Sequence, residues 1–152
     1  MTARVLVDTN ILVYCYDRSE PAKQSRAIET VDKIASSRGG ALSTQVLGEF
    51  FTTVTRKLPA PLSGEDAWGR IKHYASAWTI YELTPQVVLE AVRGVRERNM
   101  SYWDAQIWAV ARLHRLSVVL SEDFQDGFHL EGVRFLNPLR AGFRAQELLE
   151  FI

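Results

Sequence analysis

The stretch that most constrains this chain is Arg4–Asn10, RVLVDTN, where an aliphatic run stops abruptly at an acid. Val5, Leu6 and Val7 are apolar on both alternating faces, the pattern of a strand covered by helices on each side. Asp8 then stands at the carboxyl end of that strand, the edge at which open α/β sheets bind ligands. Ile11 to Tyr16 reads as a short helix, so Asp8 is held between a strand and a helix. Taken alone it reads equally well as a helix cap, a position Asp favours.

The same alternation continues along the chain. Ala22–Ser37 has amphipathic helical spacing, Ala41–Ser43 a brief strand, and Thr44–Lys57 a helix ended by the two prolines of LPAPL. Ser63 with Asp66 resembles a capping box opening a helix to about Trp78. Thr79–Leu83 alternates as a strand, and Pro85 suits the first turn of a helix to about Arg98. Trp103–Arg115 reads as a helix, Val118–Leu120 and Val133–Leu136 as strands, and Ala141–Ile152 as a final amphipathic helix. Short strands alternating with longer helices predict the α/β class, a three-layer α/β/α sandwich with a central, mainly parallel sheet. With 152 residues and no linker or repeat, one domain over 1–152 is expected.

Charge narrows the functional classes. Lys+Arg and Asp+Glu balance at 18 each, so any site for a polyanion must be a local patch rather than a global field. Cys15 is the sole cysteine and cannot form an internal disulfide, which suits a reducing compartment. No basic region followed by a long apolar core opens the sequence, so neither a signal peptide nor a membrane span is expected, and a cytoplasmic location is.

Four acids occupy comparable places in this scheme. Asp8 follows the first strand, and Glu49 lies about one and a half helical turns beyond the second. Asp104 lies at the start of a helix, and Asp123 follows the strand Val118–Leu120. A parallel sheet would gather them at one edge, where carboxylates repel one another unless a cation lies among them. Oxygen ligands suit Mg²⁺ or Mn²⁺. The histidines (His73, His114, His129) are scattered, so zinc spacing is absent.

With VDTN at Val7–Asn10, Glu49, YWDA at Tyr102–Ala105 and SEDF at Ser121–Phe124, the chain resembles PIN-domain nucleases over nearly its whole length. It is most similar to the small VapC-type ribonuclease toxins of prokaryotic toxin–antitoxin pairs. The resemblance implies that Asp8, Glu49, Asp104 and Asp123 ligate Mg²⁺ (or Mn²⁺) and position a water that attacks an RNA phosphodiester, leaving 5′-phosphate and 3′-hydroxyl ends. Thr9, Asn10 and Ser121 match supporting polar positions beside the acids. Asp123 fits the fourth acidic position, with Asp126 in reserve, although Asp126-Gly127 also reads as turn chemistry. The resemblance further implies a homodimer and a small cognate antitoxin protein.

Candidate RNA contacts are Arg56, which shares a helix face with Glu49 about 10 Å away, and Arg93, Arg96 and Arg98 near the loop before Asp104. Trp103 is a candidate for stacking on a base, with packing beneath the acids as its structural alternative. Trp68, Trp78 and Trp108 read as core or interface residues, and Phe50-Phe51 hints at an interface. Two rivals stay within the same family resemblance: a housekeeping RNA-processing nuclease, and a non-catalytic RNA-binding or regulatory module. Phosphatase chemistry of the haloacid-dehalogenase type is disfavoured, because it wants an Asp where this chain has Asn10.

Overall fold

The computed structural model describes residues 3–152. The first strand is β1 (Val5–Val7), followed by helices α1 (Thr9–Tyr14) and α2 (Pro21–Ser37). Next come β2 (Gly40–Ser43), α3 (Thr44–Arg56), α4 (Gly64–Ala77) and β3 (Thr79–Tyr81). The helical pair α5 (Pro85–Arg98) and α6 (Tyr102–Leu113) leads into β4 (Val118–Leu120), β5 (His129–Leu130), β6 (Val133–Leu136) and a 3₁₀ segment at Ala145–Glu150.

The six strands form one sheet in the order β3-β2-β1-β4-β6-β5. Every pairing is parallel except β5 with β6. Parallel neighbours need crossover connections, which the helices provide. They fall into two groups, α1 to α4 in mutual contact and α5 against α6, and flank the sheet. The result is the expected α/β/α sandwich. Val5, Leu6, Val7 and Val118 to Leu120 have no solvent exposure, as strands covered on both faces require. No helix among the described residues is long and apolar enough to cross a membrane.

Strand order decides where a ligand can sit. From β1 the chain builds outward through β2 and β3, then returns to the other side of β1 with β4. The order therefore reverses between β1 and β4, and ligands of open α/β sheets bind in the crevice outside the carboxyl ends at such a point. Asp8 leaves the end of β1 and Ser121 the end of β4. Their strands are in register, Val7 opposite Leu120, and the Asp8 N–H donates to the Leu120 carbonyl at 2.9 Å.

Several sequence expectations need correction. The tail forms a 3₁₀ segment rather than an amphipathic α-helix, and β5 was not anticipated. Phe50 is fully buried, with edge-to-face contacts to Tyr16 and Tyr74, so it belongs to the core and not to an interface. Of the tryptophans read as core or interface residues, Trp108 is fully buried in the core, whereas Trp68 is 60% exposed with the Lys72 ammonium over its ring, which leaves it only the interface alternative.

Candidate active site

Asp8 is both a cap and a site acid. One carboxylate oxygen (Oδ1) accepts the Thr9 N–H at 2.8 Å at the start of α1, and the other (Oδ2) accepts the Ser121 hydroxyl at 2.7 Å. Ser121 is the hub of the β4 end. While donating to Asp8, its Oγ accepts from the Asn10 amide at 3.3 Å and from the Asp123 N–H at 3.1 Å. The Asn10 side-chain carbonyl in turn accepts the Glu122 N–H at 3.3 Å. These bonds fasten the loop after β4 to the loop after β1, and so fix Asp8 relative to Asp123.

Asp8, Glu49 and Asp123 line one cleft of about 300 Å³, joined at its walls by Thr9, Asn10 and Glu122. Glu49 arrives from α3, whose first turn is capped by the Ser43 hydroxyl accepting the Val46 N–H. Although exposed, Glu49 is held by two donors. The Thr9 hydroxyl donates to Oε2 at 3.1 Å, and the Gln45 amide donates to Oε1 at 2.6 Å. Asp104 is half-buried in the first turn of α6, outside the lining of the cleft, and its charge acts on Asp123. Asp17 also lines the cleft, an acid that the sequence does not single out.

The electrostatics are those of acids crowded away from water. Burial pushes the Asp8 carboxyl up to about 6, aided by the negative charges of Asp123 and Glu49 and opposed by the Ser121 and Thr9 hydrogen bonds. Burial likewise raises Asp123, with Asp104 and Glu122 adding repulsion. Glu122 itself is paired with Lys23 at 3.1 Å. Among the described residues, no three His, Cys, Asp or Glu side chains stand close enough together to form a ready-made ion cage. The donor set is all oxygen and strongly negative, which fits a hydrated Mg²⁺ or Mn²⁺ that takes only one or two carboxylates directly.

The remaining candidates separate clearly. Asp126 is engaged elsewhere: its carboxylate accepts the Asn137 N–H at 2.8 Å and pairs with Arg140 at 3.0 Å, so it is not a cleft acid. Arg93 and Arg98 pair with Glu131 of the β5–β6 turn, and Arg93 also with Glu90 and Glu97 on α5, and neither lines the cleft or the hollow beside it. Arg56 and Arg96 are exposed but line neither the cleft nor the hollow beside it. Trp103 does not pack beneath the acids. It is 64% exposed and walls a second hollow next to the cleft.

Besides Asp17, two glutamines, Gln45 and Gln106, escaped the sequence reading. Gln106 is 1% exposed, donates from Nε2 to the Gln45 carbonyl at 2.7 Å, and accepts the Tyr102 hydroxyl at 2.8 Å. With the Gln45 bond to Glu49, this makes a continuous hydrogen-bonded chain from α6 to a cleft acid. A single Gln in the otherwise apolar run AQIWAVA was the available signal, since a buried amide must find partners.

The PIN-domain family signature matches residues 5–128, which include the first three strands, β4 and all the cleft acids. The chain belongs to the PIN-domain family. Solved structures similar to it include a toxin–antitoxin complex from Klebsiella pneumoniae, at 20% identity over 88% of this chain and 97% of that one, with a TM-score of 0.62. VapC20 of Mycobacterium tuberculosis, described as a sarcin–ricin loop cleaving toxin, is similar at 18% identity over 76% and 86% of the two chains, TM-score 0.58. VapBC2 of Rickettsia felis, bound to a promoter DNA fragment, is similar at 14% identity over 90% and 98%, TM-score 0.60. At these identities the likeness is one of fold. No curated protein matches the sequence.

Proposed function

We propose that this PIN domain is an endoribonuclease dependent on Mg²⁺ or Mn²⁺, and the toxin half of a toxin–antitoxin pair. Asp8, Glu49, Asp104 and Asp123 carry the site, Asp8 and its partners holding the ion. The observation that carries this reading is the convergence of Asp8, Glu49 and Asp123 on one cleft at the β1/β4 switch point, with the Asp8 carboxyl pushed up to about 6. A cation in the cleft would offset both the burial of the Asp8 charge, which is the larger effect, and the repulsion from Asp123 and Glu49.

A bound divalent ion supplies charge stabilisation at a phosphoryl oxygen and a more acidic water. The chain's own residues do the positioning. Ser121 fixes one Asp8 oxygen and leaves the carboxylate a single orientation, while Thr9 and Gln45 hold Glu49 from two sides. Asn10 keeps Ser121 in place through its amide. Asp104, from the start of α6, adds negative charge beside Asp123. The similarity to toxin–antitoxin complexes supports a small antitoxin protein as partner, and the family resemblance supports a homodimer.

The test is cleavage of a labelled total-RNA pool by purified protein with Mg²⁺, Mn²⁺ or EDTA, beside Asp8→Asn and Asp104→Asn. We expect metal-dependent cutting that falls roughly 100-fold or more in each variant, beyond the effect usual for outer residues of a metal site. Cutting that persists in EDTA, or in both variants, would overturn the reading.

A further inference from the structure

Beside the acidic cleft lies a second hollow, of about 750 Å³, within the range of small-ligand sites. The two adjoin each other, for Glu49 and Thr53 line both. One wall is the indole of Trp103, 64% exposed, and Leu83, 47% exposed, lines the same hollow. Gln45 and Gln106 give it amides, and Lys57 adds a cation. We infer that this hollow is a nucleobase subsite, which takes an unpaired base of the RNA strand whose phosphodiester lies at the acids. The inference rests on the nuclease reading above and deepens it.

The wall is rigid. Trp103 packs edge-on against Tyr102, ring centroids 5.0 Å apart at 78°, and Tyr102 is pinned through its hydroxyl to Gln106. A large aromatic face left in water yet held in orientation is what a stacking platform needs, and bases stack on such faces regardless of sequence. The amides supply what a base edge seeks. Gln45 gives one amide hydrogen to Glu49 and accepts one from Gln106, which leaves it a second hydrogen and a second lone pair. A donor and an acceptor on one amide match the adjacent donor and acceptor of a base edge. Lys57 provides charge for a backbone phosphate, a role the neighbouring Arg56 does not fill because it lies outside the hollow.

A peptide from a protein partner is the competing occupant. The free hydrogen-bonding capacity of Gln45 and the adjacency to the acids favour the base, since one strand can then reach both hollows.

The experiment separates this inference from the nuclease reading by measuring binding as well as cutting. A fluorescent pool of short random-sequence single-stranded RNA is titrated, at fixed salt, against Asp104→Asn protein with and without Trp103→Ala or Trp103→Phe. In parallel, kcat and KM for cleavage of an oligonucleotide are measured with Mn²⁺ for wild type and Trp103→Ala, using versions made abasic at each position around the cut. Loss of a stacked base predicts about 5- to 100-fold weaker binding and a matching rise in KM for Trp103→Ala, with kcat little changed and Trp103→Phe largely restored. One abasic position should cost wild type the same factor and cost Trp103→Ala nothing more. Unchanged RNA affinity in Trp103→Ala, or an abasic penalty fully additive with the substitution, overturns the subsite while leaving the nuclease reading intact. Trp103-dependent RNA binding without any cutting supports the subsite and overturns the nuclease. A protein that binds no RNA loses both. If Trp103→Ala weakens only a protein partner's binding, the hollow is a protein-docking face and the inference fails.

Discussion

Asp8 is the residue on which folding and the proposed chemistry compete. Its carboxyl, 5% exposed, is pushed up to about 6, whereas an unfolded Asp titrates near 3.9. The folded-state value is the higher one, so the unfolded chain gives up this proton first. Without metal, stability therefore falls as pH rises from about 4 through about 6 and levels off above, by roughly 3 kcal/mol for this group. Asp8→Asn has no such titration but keeps an oxygen for the Thr9 N–H. In EDTA, urea unfolding should show the variant gaining on wild type by about that amount between pH 4 and pH 7. Saturating Mn²⁺ at pH 7 should return most of the loss to wild type and little to Asp8→Asn, since a ligand stabilises only the state that binds it. A stability difference that does not change with pH would mean that Asp8 is not held in an ion-hungry site. Glu131, held below the usual carboxylate range by Arg93, works in the opposite direction at acid pH. That contribution is common to both proteins and cancels in the comparison.

At the level of elements, α5 and α6 approach closely because α5 has a glycine where the indole of α6 sits. A Cβ on Gly94 would meet Trp108 Cζ3 at 2.9 Å and Met100 Sδ at 3.2 Å, and Trp108 is fully buried. Gly69, on the exposed side of α4, has nothing within 4 Å of that position. Replacing a mid-helix glycine by alanine gains about 1 kcal/mol of helix propensity, so Gly69→Ala should raise the denaturation midpoint. Gly94→Ala gains the same propensity but overpacks the core, at a cost of about 1–3 kcal/mol, and should lower it. Two changes of identical chemistry are thus expected to have opposite signs, and equal shifts would show that Trp108 yields freely. The contrast also marks what sequence can carry. β1 and β4 were legible because aliphatic runs ending at Asp8 and Ser121 have no other easy reading. β5 was not, since His129–Leu130 has no alternation and is set by the left-handed turn at Glu131 and Gly132. Asp8, Glu49 and Asp123 were legible as acids at strand ends and on the adjoining helix. Gln45 was not, because a glutamine on a helix ordinarily faces water, and Gln106 offered only its place in an apolar run; the hydrogen bond between α6 and α3 makes a relay of them. Asp126, the reserve acid, follows its turn alternative: it precedes the left-handed Gly127 and is bound to Arg140 rather than facing the cleft.

Across the whole molecule, the segment beyond the family match closes the structure behind the cleft. The PIN signature stops at residue 128, yet β6 lies further on and pairs directly with β4, so the sheet that carries Ser121 and Asp123 depends on it. Phe124 stacks on Phe135 of β6 at 4.0 Å, and the Gly127 N–H donates to the Phe135 carbonyl at 2.7 Å, which pins the acidic loop from below. Arg140 then ties Asp126 in that loop to Glu147 in the 3₁₀ segment. The segment in turn buries Leu148 completely and packs on α2. The 3₁₀ segment is thus anchored on the domain by one buried apolar side chain and linked to the loop bearing Asp123 by two partly exposed ion pairs. These linkages differ in strength. Leu148→Ala should cost about 2–5 kcal/mol through the cavity it leaves, or roughly 5–15 °C in melting temperature for a chain of this size. Arg140→Ala, which loses pairs that water already screens, should cost under about 1 kcal/mol. Hydrogen exchange then distinguishes them locally: Arg140→Ala should speed exchange of the Gly127 and Asn137 amides selectively, while Leu148→Ala should speed it throughout the molecule in proportion to its lost stability. Wild-type melting in Leu148→Ala would mean that the tail lies on the domain without supporting it, leaving β6 alone to hold the acidic loop.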